Sequence, residues 1–82
     1  MRLKVSIKLK VVLVMMAERL RGKLAEKGAK RLEIASLLKL SKATVTNKMH
    51  GSAPITLKEF TALAKRYNFS NEDILYILFG GE

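Results

Sequence analysis

Residues 30–51 read KRLEIASLLKLSKATVTNKMHG and contain two short helical patterns separated by a turn. The first pattern covers residues 31–38 and repeats apolar residues at helical spacing. After a tight turn, Ser41 is a good N-cap for a second helix that ends near His50. Two short helices joined in this way are typical of a helix-turn-helix, in which the second helix lies across the first.

The apolar residues of this pair predict how the two helices pack. Ala35 is small, as is required where two helix backbones cross closely. Val45 and Met49 lie four residues apart, so they predict an apolar stripe that faces Ile34 and Leu38. The side chains that remain on the outward face of the second helix include no acidic group and are Lys42, Ala43, Thr46, Asn47 and His50.

This outward face carries groups that match the base edges of double-stranded DNA. Lys42 can donate to guanine O6 and N7, Asn47 can pair with adenine N6 and N7, and Ala43 can meet a thymine methyl group. Exposed amides and hydroxyls at helix starts, together with basic side chains, are suited to phosphate. We therefore predict base contacts at Lys42, Ala43, Thr46 and Asn47, and phosphate contacts at Lys30, Arg31, Ser41, Thr44 and His50.

The remainder of the chain from about Val11 predicts three further helices. One ends at Lys27, with Gly28 suited to the left-handed position after it, and has an apolar stripe that contains Leu20 and Leu24. The sequence of residues 56–59 is a capping box that begins a helix to about Tyr67. Ser70 caps a final helix, whose residues 74–79 are apolar on nearly every side and are closed by Gly80-Gly81.

Residues 2–9 alternate strictly between polar and apolar, which predicts a β-strand with one apolar face. A lone strand is not stable, and the chain offers no second strand as a partner. Either two copies of the chain pair through residues 3–9, or residues 1–10 are a disordered basic arm, with Lys4, Lys8 and Lys10 available to phosphate. We therefore divide the chain into this strand or arm at 1–10 and a DNA-binding domain at 11–82.

The net charge of the 82 residues is +9, and it is distributed unevenly. Residues 1–50 hold 13 Lys/Arg against 3 Glu, a net +10, whereas residues 51–82 hold 3 Lys/Arg against 4 Asp/Glu, a net −1. Repulsion of this order destabilises a compact fold, so a polyanionic partner is expected. A hydrophobic fraction of 49% suffices for one domain with a core, and the absence of cysteine removes disulfides and thiolate sites.

An ordered set of short motifs extends from about Arg19 to Phe79, about three quarters of the chain. The motifs are Glu-Arg-Leu-Arg…Glu-Lys-Gly at 18–28, Glu33-Ile34-Ala35…Leu38, Ser41…Thr44-Val45-Thr46…Gly51 and Leu57…Leu63-Ala64…Phe69-Ser70…Ile74. The set resembles the lambda-repressor/Cro-type (Xre-like) helix-turn-helix domains of phage and bacterial regulators. The resemblance implies an all-α, five-helix bundle that binds an operator as a dimer, with a phosphate contact at Arg31 and base contacts at Lys42, Ala43 and Asn47.

The chain departs from that family pattern at three places. Lys39 stands where the family has a turn glycine, so a lysine must accept a strained or altered turn. Lys30-Arg31 replaces the usual Thr-Gln at the start of the first helix of the pair. The alternating segment before Val11 lies outside the pattern altogether.

We predict a sequence-specific DNA-binding regulator, with a homodimer formed through residues 3–9, residues 74–79 or both. The alternatives are a protein-interaction module that uses the apolar C-terminal helix, and a non-specific nucleic-acid binder. We expect no enzyme activity, cofactor, metal or small-molecule substrate, because no nucleophile stands beside a base and no glycine-rich phosphate loop is present. The apolar run at 11–17 is too short to span a bilayer and is followed by charged residues, so we expect a cytoplasmic protein without a signal peptide.

Overall fold

Five α-helices form the protein in the computed structural model, which describes the backbone of residues 2–80 and the side chains of residues 14–80. No strand occurs within residues 2–80, so the predicted all-α, five-helix bundle is confirmed. In none of the described helices is there an apolar stretch long enough to cross a membrane. The helices are α1 (Arg2–Glu26), α2 (Arg31–Leu38), α3 (Lys42–Met49), α4 (Leu57–Arg66) and α5 (Asn71–Phe79).

The N-terminal segment is helical, so the strand predicted over residues 2–9 is wrong. Helix α1 begins at Arg2 and continues without a break through the apolar run at 11–17. A strand needs a neighbouring chain to satisfy its backbone N–H and C=O groups, whereas a helix satisfies them within itself. The predicted pairing of two copies through a strand at residues 3–9 is therefore wrong as well. The lysines of the alternative basic arm, Lys4, Lys8 and Lys10, lie outside the described side chains.

Local hydrogen bonds begin the last three helices where the sequence predicts. The Ser41 hydroxyl accepts from the Thr44 backbone N–H at 3.1 Å, which caps α3. Thr56 and Glu59 form the predicted capping box of α4, because the Glu59 N–H donates to the Thr56 hydroxyl and the Glu59 carboxylate accepts from the Thr56 N–H. Ser70 caps α5 in the same way. These bonds satisfy backbone donors that a helix start otherwise leaves without a partner.

The core lies where α1 and α2 meet the other three helices. Helix α1 packs against α5 and α3, and α2 packs against α3 and α4. The predicted stripe residues Leu20 and Leu24 are buried in this core, and the apolar α5 contributes one fully buried side chain, Ile77. Helix α3 is therefore held from the inside by two helices. The buried residues of the cluster are Leu20, Leu24, Ile34, Ala35, Val45, Met49, Leu63, Tyr67 and Ile77.

Polar contacts show that α1 and α5 run in opposite directions. The ammonium of Lys23, near the end of α1, lies 3.3 Å from the Asp73 carboxylate near the start of α5. One turn earlier in α1, the Nε of Arg19 donates to the Ile77 carbonyl in the last turn of α5 at 3.0 Å. The backbone N–H of Ser70 bonds to Asp73 and the Lys23 ammonium lies beside it, so the pKa of this carboxyl falls below its usual value.

Candidate nucleic-acid interface

The packing of α2 against α3 confirms the predicted apolar stripe. Val45 and Met49 are buried, and both lie in the same cluster as Ile34 and the small Ala35 of α2. Leu38 is half-buried and packs against that cluster. Since Val45 has no exposed surface at all, the rotation of α3 about its own axis is fixed by its inner face.

The turn between α2 and α3 adopts the left-handed backbone conformation without a glycine. Lys39 has φ 58° and ψ 44°, which is the conformation that the resemblance implies for this position. The turn is closed by the Leu40 N–H, which donates to the Ala35 carbonyl at 3.0 Å. A lysine in this conformation costs roughly 1 kcal/mol relative to glycine. The turn therefore keeps the helix-turn-helix geometry, with a small energetic penalty.

The outward face of α3 presents most of the side chains predicted to contact bases. Lys42, Ala43 and Asn47 are exposed. Thr46 lies on the same helix but is half-buried. The three exposed side chains carry a cationic donor, a methyl group and an amide. The first of them, Lys42, is at the N-terminal end of α3, where the first backbone N–H groups have no partner within the helix.

The predicted phosphate contacts lie at the start of α2 and at the two ends of α3. Ser41 and Thr44 meet at its N-terminal end, where their hydroxyl oxygens lie 2.8 Å apart. Lys30 is exposed beside the start of α2. His50 is exposed at the opposite end of α3, about 12 Å along the helix axis from Lys42. The structure therefore brings Ser41 and Thr44 together but places His50 apart from them.

Arg31 and Thr46, predicted as separate phosphate and base contacts, are bonded to one another. The Nη1 of Arg31 donates to the Thr46 hydroxyl oxygen at 2.8 Å. That hydroxyl in turn donates to the Lys42 backbone carbonyl at 3.0 Å. The sequence does not predict this contact, because the two residues lie 15 positions apart and on different helices.

The chain segment that forms α2 and α3 carries a single acidic side chain, Glu33. Residues 34–58 contain four lysines and no Asp or Glu. Glu33, just before this segment, accepts hydrogen bonds from the Lys30 backbone N–H at 3.2 Å and from the Tyr67 hydroxyl at 3.3 Å. Burial and the nearby Glu33 carboxylate raise the pKa of Tyr67 above its ordinary value, so its hydroxyl stays a donor. The site is therefore electropositive.

The C-terminal end of α3 is held by α1 through two contacts that the sequence analysis missed. Arg21 Nη1 donates to the Met49 carbonyl at 2.8 Å. Gly51 has φ 81° and lies against α1 so closely that an added Cβ would come within 2.8 Å of the Val14 Cα. A local pattern cannot reveal either contact, since α1 and the end of α3 are distant in sequence. Together they fix the tilt of α3.

An ion pair links α3 to α4 on the remaining side. The Lys48 ammonium lies 2.8 Å from the Glu59 carboxylate and donates to the Pro54 carbonyl at 2.9 Å. The two charged side chains are only 12% and 17% exposed. Burial alone raises the pKa of Glu59, but the bonds from Lys48 and from the Thr56 backbone outweigh burial, and the pKa lies below its usual value. Lys48 is thus a structural cation.

A polar, electropositive helix presented by a helix-turn-helix defines a class of protein, the helix-turn-helix-type DNA-binding domains. Comparison with known families agrees: residues 10–79 match the family model described as "BetR domain", and the chain belongs to this family. The family is assigned to DNA binding of the helix-turn-helix type. No curated protein and no solved structure matches the chain. The family match supports a DNA-binding regulatory domain and does not extend to the lambda-repressor/Cro type.

Proposed function

We propose that the protein binds double-stranded DNA sequence-specifically and regulates transcription in the manner of the lambda-repressor/Cro-type proteins. The observation that carries the proposal is the division of α3 into two faces. Val45 and Met49 are buried, while Lys42 and Asn47 are exposed, and none of the ion pairs among residues 14–80 involves Lys42. In the proposed complex, the exposed face of α3 enters the major groove.

In this complex the exposed side chains of α3 read bases. Lys42 donates to guanine, Asn47 pairs with adenine and Ala43 contacts a thymine methyl group. Lys30, Ser41, Thr44 and the N-terminal amides of α3 bind phosphates on one side of the groove, and Arg31 joins them. His50, at the other end of α3, contacts a phosphate across the groove.

The charge of the chain supports a DNA partner over a neutral one. Its net charge is +9, and residues 34–58 carry no Asp or Glu and four lysines, of which only Lys48 is paired, with Glu59 of α4. Binding to phosphate releases condensed counterions, so affinity must fall as salt rises, with a slope in log–log form of about −0.9 per phosphate neutralised. A salt titration on random duplex DNA measures this slope, and salt-independent affinity contradicts the proposal.

Base reading is tested separately with Asn47→Ala on a duplex selected by the wild-type protein from a random pool. Losing one bidentate base contact costs about 1–3 kcal/mol and relaxes the preference at a single base pair. Asn71→Ala is the matched control, because Asn71 is an exposed asparagine on α5. Uniform weakening of every duplex by Asn47→Ala would instead favour a non-specific nucleic-acid binder.

The apolar surface of α5 favours a second role for the protein, which is contact with another protein chain. Leu75 is 54% exposed and Phe79 is 70% exposed, and exposed apolar side chains of this size suit a protein contact. We propose that residues 74–79 join two copies of the chain, as a palindromic operator requires. Sedimentation of the wild type and of Phe79→Asp tests this, with a dimer that becomes a folded monomer as the expected result. A wild-type monomer at high concentration contradicts it.

A further inference from the structure

The Thr46 hydroxyl is fully engaged as a donor inside the protein. The hydroxyl donates to the Lys42 backbone carbonyl oxygen at 3.0 Å, and it accepts from Arg31 Nη1 at 2.8 Å. A hydroxyl has one proton to donate, so Thr46 has no donor left for a base edge. The side chain is also half-buried, unlike the other residues on the outward face of α3.

The partner of this hydroxyl, Arg31, keeps most of its binding capacity. A guanidinium has five N–H donors, and the bond to Thr46 uses one of them. Among the side chains of residues 14–80, no carboxylate forms an ion pair with Arg31, and the nearby Glu33 is bonded to Lys30 and Tyr67. Arg31 is therefore a full positive charge held by a neutral group.

The tether also restricts where the guanidinium lies. Arg31 is the first residue of α2, and its side chain reaches across to the middle of α3. An unrestrained arginine loses up to about 2 kcal/mol of rotamer entropy when it is fixed on a phosphate. A guanidinium that is already held in the free protein loses less, which is the general benefit of preorganisation.

We propose that Thr46 is a positioning residue that holds Arg31 for a DNA phosphate, and that it reads no base. This inference rests on the proposed function and replaces the base contact predicted for Thr46. It makes the threonine and the arginine one unit, in which the α3 hydroxyl determines how well an α2 side chain binds the DNA backbone.

The test compares Thr46→Val with Thr46→Ser on the duplex selected by the wild type and on duplexes mismatched at each base pair. Valine keeps the shape and removes the hydroxyl, whereas serine keeps the hydroxyl. We expect Thr46→Val to weaken binding to every duplex by about tenfold, as expected for one charge-assisted hydrogen bond. The salt slope should shrink toward that of Arg31→Ala, by about 0.9, while Thr46→Ser should stay within about twofold of the wild type.

Thr61→Val is the matched control, since the Thr61 hydroxyl makes the same bond to a carbonyl one turn earlier, at 2.8 Å, without an arginine. In the Arg31→Ala background, Thr46→Val should add nothing. Full additivity, or a changed preference at one base pair with an unchanged salt slope, overturns the inference.

A readout without DNA separates this inference from the proposed function. NMR of the free protein measures rotation of the Arg31 guanidinium, which should be slow in the wild type and in Thr46→Ser and fast in Thr46→Val. Equal rotation in all three overturns the tether. A wild type that binds no duplex overturns the proposed function and with it the phosphate role, whereas a wild type that binds normally beside an equally competent Thr46→Val overturns the inference alone.

Discussion

Helices α3 and α5 are fixed in the same way but present opposite surfaces. Each begins with a serine whose hydroxyl accepts a backbone N–H three residues on. In the last turn of each helix, a backbone carbonyl accepts a hydrogen bond from an arginine of α1. Arg21 donates to the Met49 carbonyl at 2.8 Å, and Arg19 donates to the Ile77 carbonyl at 3.0 Å. The shared devices set where the two helices lie.

The exposed residues differ completely. Helix α3 presents Lys42 and Asn47, whereas α5 presents Leu75 and Phe79. Because the anchoring residues are separate from the exposed ones, one bundle can offer one polar surface to a polyanion and one apolar surface to a protein. The anchoring residues and the exposed residues can therefore be changed independently, and variants at each set should affect different properties of the protein.

The largest effect is expected for Gly51→Ala, which detaches α3 from α1 and leaves the α1–α5 contact intact. The added Cβ would lie 2.8 Å from the Val14 Cα, and the position has a φ of 81°. Backbone displacement and left-handed strain together should lower the free energy of unfolding by about 3 kcal/mol. Chemical denaturation measures the loss.

Gly28→Ala is the control for the strain alone. Gly28 has φ 75°, but an added Cβ there meets nothing within 4 Å. This variant should lose only about 1 kcal/mol. Equal losses for the two alanine variants would contradict a close approach of α1 to the end of α3.

The next largest effect is on the pH dependence of stability, through the ion pair between Lys48 of α3 and Glu59 of α4. The pKa of Glu59 lies below its ordinary value of 4.5. Its contribution to stability is therefore complete above that value and is lost as the pH falls through the lower, folded-state pKa. Glu59→Gln should cost about 2 kcal/mol at pH 7 and make thermal stability less sensitive to pH below about 4. An unchanged pH profile would mean that Glu59 is not stabilised as a carboxylate.

A smaller effect separates the two arginines of α1. Arg21→Ala and Arg19→Ala each remove one hydrogen bond from a cation to a helix carbonyl, so each should lower the unfolding free energy by about 1 kcal/mol. On a duplex with a single half-site, which needs no dimer contact through α5, affinity should fall only in Arg21→Ala, since only Arg21 is bonded to α3. If Arg19→Ala lowers DNA affinity by the same factor, the separation of the two surfaces fails.

The smallest effect is a gain. Lys39→Gly removes left-handed strain but adds flexibility to the unfolded chain, so stability should rise by about 0.5 kcal/mol. Asn68 has a similar φ of 55°, yet asparagine tolerates this conformation, and Asn68→Gly should change little. Thermal melting of the two variants distinguishes them. A loss of stability in Lys39→Gly would show that the lysine side chain stabilises the turn.

The parts of the fold that depend on neighbouring residues could be predicted from the sequence. The helix starts at Ser41, Thr56 and Ser70 are set by hydrogen bonds over three residues, and the burial of Val45 and Met49 follows from helical spacing. The N-terminal segment could not, because alternation over eight residues suits a strand face and is also compatible with a helix that needs no partner chain.

The contacts that hold the candidate site could not be predicted either. Arg21 lies 28 positions from Met49, and Arg31 lies 15 positions from Thr46. Long basic side chains on a helix surface can point to solvent, to phosphate or to a carbonyl of another helix, and no local pattern separates these outcomes. The contact between Arg31 and Thr46 could not be predicted for this reason, although the position of Thr46 on α3 was predicted correctly.

The spacing of Arg19 and Arg21 in α1 has a consequence for the shape of an operator. Residues two apart on a helix point about 160° away from one another, so α1 lies between the end of α3 and the end of α5. In a dimer joined through α5, the width of α1 fixes the distance between the dimer contact and the exposed face of α3 in each copy. Such a dimer accepts one centre-to-centre distance between half-sites, and five added base pairs, which turn one half-site to the opposite side of the duplex, abolish simultaneous binding.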